Sequence, residues 1–440
     1  MKSRSAKKVY ELATHALVQN TAAMALVQFG TNFIPLLVML YLARVLGVAG
    51  WGLVAFAQSF GMYVSVLGEY GFSLSATREV ARDRDNGQRV SEVVAGVLGA
   101  RAVLATAIVL LGLAVEQLVP IFRAYPLLLW GGIFWALARS ASMVWYFQGR
   151  ENMRLVAWLD IVTQTLAAVA ILALVRGPMD GWRVLFLQGL GYSASFVVGL
   201  VLTYREVSAR VPTWESTWDA LRMGWSMFLF RGSVSLYTVG NAFILGLFVS
   251  PLWVGFYAGA EKISKPFLSL FTPVSQALYP RLSHLVLRAR DRAVQLARVA
   301  ILVMGSAGVV LGVVIFVSAP TLVRVVLGPG YENSVPVLRI LALLSPLIAL
   351  SHVFGIQWML PLGMDRAFNA IIVAAGAINI GLAVTLAPGF RAIGMACAVL
   401  TAETFVTVSM YLLLRWRRLD PLTCASTLLN SDHLGATVGE

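Results

Sequence analysis

The sequence predicts an all-α, polytopic membrane protein with about twelve transmembrane helices in two pseudo-symmetric six-helix bundles. Three observations predict it. Of 440 residues, 59% are hydrophobic and 12% charged, with a mean hydropathy of +0.79. A soluble domain carries about 25% charged residues, so this chain cannot clothe a water-facing surface. Apolar runs recur along the whole length, each close to the ~20 residues that cross a ~30 Å hydrocarbon core. Lipid demands internally satisfied backbone, and no barrel-type alternation is present, so the runs are read as helices. Third, the basic residues alternate sides when the runs are counted as spans.

Taken in order, the spans lie near 17–43, 52–76, 92–115, 126–148, 155–175, 184–204, 223–249, 252–279, 297–319, 336–361, 367–387 and 391–414. The start, MKSRSAKKVYELATHA, is basic and only mildly apolar, without a cleavable apolar core, and reads as a retained cytoplasmic end over 1–16. With that end inside, the inner connections hold most Lys and Arg. The outer ones hold only Arg44, Arg123, Arg176, Arg183, Arg324, Arg339 and Arg391, a bias of roughly three to one that fits cytoplasmic termini. Residues 17–204 form a first lobe, 205–222 a cytoplasmic linker, 223–414 a second lobe and 415–440 a cytoplasmic tail. Pro266, Pro273 and Pro280 recur every seven residues and bend the eighth span. Trp residues near span ends form an interfacial belt. Residues 281–298, RLSHLVLRARDRAVQLAR, read as a basic amphipathic helix on the inner surface.

The two lobes are internal repeats. VAGWGLVAFAQ (48–58) lies over PLWVGFYAGAE (251–261) at a constant offset of 203, matching Gly52 with Gly255 and Ala55 with Ala258. Both halves enter from the cytoplasm, so the duplication is parallel, about an axis along the membrane normal. That plan places a site between lobes near the midplane.

Five basic residues fall inside spans: Arg101, Arg139, Arg231, Lys262 and Lys265. Each would cost roughly 2.5–3.5 kcal/mol facing lipid, so they are expected to face protein or a wet cavity. The acids expected at that depth are fewer: Glu69, Glu261 and Glu403. A surplus of cations implies a basic cavity that attracts an anion. Arg231, Ser235 and Thr238 share one face of span seven, and Gln28 and Asn32 occupy the same register on span one. These nine residues (Arg231, Arg101, Arg139, Lys262, Lys265, Gln28, Asn32, Ser235, Thr238) are the candidate cavity lining. Interhelical hydrogen bonding is the plainer role of the neutral ones. No catalytic constellation and no Lys-Ser/Thr phosphate loop stands out. Cys397, Cys424 and four scattered histidines form no metal site, and no cofactor is expected.

The segment YLARVLGVAGWGLVAFAQSFGMYVSVLGEYGFSLSATREVARDRD (41–85) resembles the N-terminal part of bacterial polysaccharide-biosynthesis flippases. These are O-antigen and exopolysaccharide repeat-unit translocases of the multidrug/oligosaccharidyl-lipid/polysaccharide exporter superfamily. WYFQGRENMR (145–154) resembles their turn after the fourth span, and the resemblance covers roughly 1–418. It implies the two-bundle plan of the multidrug exporters, acting without enzymatic chemistry by V-shaped alternating access in the plasma membrane. The implied cargo is an oligosaccharide on a polyprenyl diphosphate of the undecaprenyl type. A glycan polymerase and a chain-length regulator are implied partners, with a monomer, the bilayer and no nucleic acid. Ion coupling in related exporters uses membrane acids, for which Glu69 and Glu261 are the analogues here. The alternatives are an ion-coupled drug/cation antiporter of the same superfamily and a membrane glycan polymerase or ligase.

Overall fold

The computed structural model describes residues 37–422. All of the regular structure among them is helical. Seven of these helices are long and apolar enough to cross a membrane by length and composition. A helix over 37–69 (α1) breaks at Gly47, whose φ of 65° lies in the left-handed region that glycine tolerates. It therefore comprises the end of the first expected span and most of the second. There follow α2 (Phe72–Arg82), α3 (Gly87–Leu118), α4 (Pro120–Ala124), α5 (Pro126–Ser140), α6 (Val144–Gly149), α7 (Met153–Leu174) and α8 (Gly181–Glu206). The second half has α9 (Trp214–Thr238), α10 (Asn241–Gly246), α11 (Pro251–Leu268), α12 (Phe271–Arg288) and α13 (Arg290–Val326). It ends with α14 (Ser334–Ala342), α15 (Leu344–Ser351), a π-helical stretch (His352–Met359) and α16 (Asp365–Trp416). α16 folds back at Arg391 (φ 53°) and supplies the last two passes. Helices cover the expected spans from the second to the twelfth; most of the first lies outside the described residues.

Local chemistry sets the boundaries. Pro126 and Pro251 open α5 and α11, where a missing N–H costs nothing. Asn86 caps α3 by accepting from the Arg89 amide, and Thr213 forms a reciprocal capping box with Ser216 on α9. That cap starts α9 at Trp214, so the expected linker over 205–222 is largely helical. The proline series breaks the eighth span at Ser269–Leu270, between α11 and α12. Pro273 has no N–H for the Ser269 carbonyl four residues back. The expected surface helix over 281–298 is not one element. The chain breaks at Ala289 (φ −151°, ψ 69°), so its first half ends α12 and its second half starts α13. Span seven is also discontinuous, breaking at Val239–Gly240, where a glycine meets the Tyr63 ring.

The hydrophobic core shows how the two halves sit. One core joins them at the end that carries the Gly47 break and the α10–α11 turn. It combines Phe56, Phe60, Phe122 and Ile133 with Leu245, Val254, Leu327 and Tyr331. At the other end the interior is divided. Phe72, Val94, Trp145 and Tyr146 pack in the first half, with Ala220 of α9. Leu282, Phe354, Trp358 and Met410 pack in the second. The molecule is thus a V, joined at one end and split at the other. α9 bridges the halves, packing on α2 and α3 and on α16.

Candidate functional site

The joined end is built by close helix crossing. A Cβ on Gly52 of α1 would overlap the Pro251 carbonyl oxygen and lie 2.7 Å from the Gly255 nitrogen. A Cβ on Gly255 of α11 would overlap the Val48 carbonyl oxygen. Val48 and Pro251 are themselves related by the offset of 203, so the two contacts are reciprocal, as a pseudo-twofold axis through the crossing requires. Two hydrogen bonds fasten the same end: Arg44 Nη2 to the Val325 carbonyl (2.6 Å) and Tyr331 Oη to the Ala43 carbonyl (3.1 Å). Beneath them lies an aromatic layer. Phe56 and Phe60 of α1 sit 4.9–5.3 Å from Phe122 of α4 and Phe243 of α10.

Below this layer the structure gathers cations from both halves. Arg139 lies about 20 Å along α5 from Pro126, and Lys262 and Lys265 lie about 17 and 21 Å along α11 from Pro251. The electrostatic neighbours of Lys262 are Lys265, Glu261 and, across the seam, Arg139. Arg139 is exposed, with its guanidinium over the Trp135 ring (5.5 Å) and the Tyr192 ring (5.9 Å). Lys265 is half exposed and pairs with Glu261 at 3.2 Å, an i,i+4 pair in the favourable order. The Tyr257 hydroxyl donates to Glu261 at 3.5 Å. Glu261 is therefore inside the cluster.

Other candidates go elsewhere. Arg101 is not part of this group. Its guanidinium donates to the Ala141 (2.6 Å) and Ser142 (3.1 Å) carbonyls, closing the C-terminal end of α5, and stacks toward Phe72 at 6.0 Å. Glu69 is the charged neighbour of Arg101 within the first half. Glu403 accepts from Ser351 at 2.8 Å within the second half. Ser235 is half-buried on α9. Gln28 and Asn32 lie outside the described residues, as do the side chains of Arg231 and Thr238.

One acid escapes the sequence reasoning. Asp160 on α7 accepts from Ser195 on α8, and Arg139 is its charged neighbour. The signal was available: an acid five residues inside the fifth span, opposite a serine of the sixth. Three cations thus face two carboxylates here, a smaller surplus than the sequence suggests. The arrangement can hold an anion between the halves, under a shut end and facing the open one.

The comparisons agree with this architecture. The family model described as "Polysaccharide biosynthesis protein" matches residues 17–286. A "Putative O-antigen transporter" of Escherichia coli (strain K12) is 29% identical over 410 residues, covering 92% of this chain and 98% of that protein. A "Probable flippase AglR" of Haloferax volcanii is 26% identical over 404 residues, covering 88% and 82%. Among solved structures, a multidrug resistance MATE family transporter of the MOP superfamily in an inward-facing conformation superposes with a TM-score of 0.68. It has 14% identity and covers 89% of this chain and 94% of its own, which speaks for the fold. With the family model spanning more than half of the sequence, the chain belongs to the polysaccharide biosynthesis protein family.

Proposed function

We propose that this chain is a flippase for lipid-linked oligosaccharides, acting in the plasma membrane of a bacterium. It would take polyprenyl-diphosphate-linked repeat units from the inner leaflet and release them at the outer one, for O-antigen, capsule or exopolysaccharide synthesis. The observation that carries this reading is the cationic group formed across the seam by Arg139, Lys262 and Lys265. A diphosphate is the anion that such donors match. The lipid tail stays in the bilayer at the lateral gap of the V, and the glycan occupies the space between the arms. The relatives described as an O-antigen transporter and a flippase support the same cargo class.

In this reading both termini are cytoplasmic and the split end faces the cytoplasm, because it carries the excess of arginines. The protein works by alternating access without covalent chemistry. Residues 17–204 and 223–414 rock as lobes about the glycine crossing. On sequence register alone, Arg231, Ser235 and Thr238, with Gln28 and Asn32, are proposed to extend the lining. A drug/cation antiporter would gain little from a site in which cations outnumber carboxylates. A glycan polymerase and a chain-length regulator act next on the delivered units.

The test is to delete the gene and follow labelled lipid-linked repeat units by leaflet. Retention on the inner leaflet is expected, restored by the intact chain but not by the Arg139→Gln/Lys262→Gln double variant. Undiminished outward delivery in the deletion strain refutes the proposal.

A further inference from the structure

Asp160 has been given no part in holding the cargo, yet its charged neighbour is Arg139, an exposed cation of that site. It lies on α7, its carboxylate accepts from Ser195 on α8, and its charged neighbour is Arg139 on α5. Arg139 therefore stands between two environments. On one side is the carboxylate of its own lobe. On the other is the seam, where Lys262 of the opposite lobe repels it. The ring faces of Trp135 and Tyr192 steer the guanidinium without neutralising it, and their quadrupole attraction leaves the charge available. Glu261, the other carboxylate, is already engaged by Lys265.

We propose that Asp160 is a positioning residue that competes with the cargo's anionic headgroup for Arg139. This rests on the flippase reading. In the empty cavity the Asp160 carboxylate draws Arg139 toward the first lobe and offsets part of its repulsion from Lys262 across the seam. An arriving diphosphate, with two phosphoryl groups to offer, draws Arg139 toward Lys262. That spans the seam and links the lobes. When the headgroup reaches the opposite leaflet, Asp160 reclaims Arg139 and lowers the barrier to release. A site of unopposed cations would bind a diphosphate well and let go slowly. The competing carboxylate is what makes turnover compatible with capture. The Ser195 hydrogen bond orients the Asp160 carboxylate.

The full chain, purified in detergent, tests this with inorganic pyrophosphate as the binding probe. Proteoliposomes with a fluorescent polyprenyl diphosphate report translocation. Asp160→Asn keeps the shape and an acceptor for Ser195 but removes the charge. It should tighten pyrophosphate binding about three- to tenfold, the order expected for one lost charge interaction, and slow translocation. Asp160→Glu should restore both properties in part. If Asp160→Asn leaves affinity unchanged while Arg139→Gln weakens it, Asp160 does not compete and the inference fails with the cargo site intact. If Asp160→Asn weakens binding as much as Arg139→Gln, Asp160 only holds Arg139 in place and the inference also fails. If neither Arg139→Gln nor Lys262→Gln changes pyrophosphate binding, the cargo site itself is wrong and the inference falls with it.

Discussion

Placing a methyl group at Gly52 should open the joined end of the V. In Gly52→Ala the new carbon meets backbone on every side that matters: the Pro251 carbonyl oxygen and, at 2.7 Å, the Gly255 nitrogen. Backbone cannot swing away as a side chain does, so α1 and α11 must separate. Overpacking a close contact costs about 1–3 kcal/mol. The strain exists only while the end is closed, so the whole cost biases the equilibrium. Since about 1.4 kcal/mol is tenfold, the ratio of closed to open forms should fall roughly 5- to 150-fold. Gly255→Ala should do the same through the Val48 oxygen. Gly381→Ala is the control, because nothing lies within 4 Å of its would-be Cβ. The assay is electron–electron double resonance between spin labels at Arg176 and Glu332, exposed positions at that end of the first and second halves. They would be introduced in a background lacking Cys397 and Cys424. Both alanine variants should lengthen the distance distribution and lower translocation, while Gly381→Ala should leave both unchanged. An unaltered distribution in Gly52→Ala and Gly255→Ala would refute the idea that this crossing holds the end shut.

Three further outcomes follow from the same structure. Tyr331→Phe removes the hydroxyl that donates to the Ala43 carbonyl. It should shift the same spin-label distances in the same direction, by about 0.5–1.5 kcal/mol, hence more weakly than Gly52→Ala. Arg101→Ala strips two carbonyls at the end of α5 of their charged donor. It should lower the melting temperature by an amount corresponding to about 1.5–3 kcal/mol per lost bond, whereas pyrophosphate binding per folded molecule should be retained. Glu151, in the turn between α6 and α7, is held below the usual carboxylate range by the hydrogen bond and charge of Arg84. A depressed folded value means the pair supports the fold above the ordinary glutamate range, about pH 4.3, and the support is lost as pH falls through the depressed value. Glu151→Gln should flatten the acid limb of the melting profile and leave the neutral region little changed.

The span pattern was legible because lipid imposes it. Twenty apolar residues in a row have few other fates, and the arginine bias orders them. Gly52 and Gly255 were legible as repeat partners, since both keep the same place in matching segments. Breaks were harder. Pro273 announced the interruption of span eight, but Val239–Gly240 carries no such mark, and Ala289 splits an amphipathic stretch whose periodicity runs on without a pause. The candidate site was half legible. Arg139, Lys262 and Lys265 were marked by the cost of burying charge. So was Arg101, and the same rule does not separate them: a guanidinium is as well satisfied by the carbonyls of Ala141 and Ser142 as by an anion. Asp160 was missed because an acid near a span end reads as a loop residue until its neighbours are known.

What the sequence by itself determined is the class of the molecule: that it is an all-helical protein crossing a membrane several times, which segments repeat, and that more positive than negative charge lies within the apolar runs. Solvent chemistry dictates those features residue by residue, so they need no knowledge of neighbours. Only the tertiary structure decided which charges meet. Whether two glycines touch, whether an arginine closes a helix or faces a seam, and at which end two arms share one core depend on contacts between residues far apart in the chain. Those contacts are set by helix packing, which no local pattern encodes.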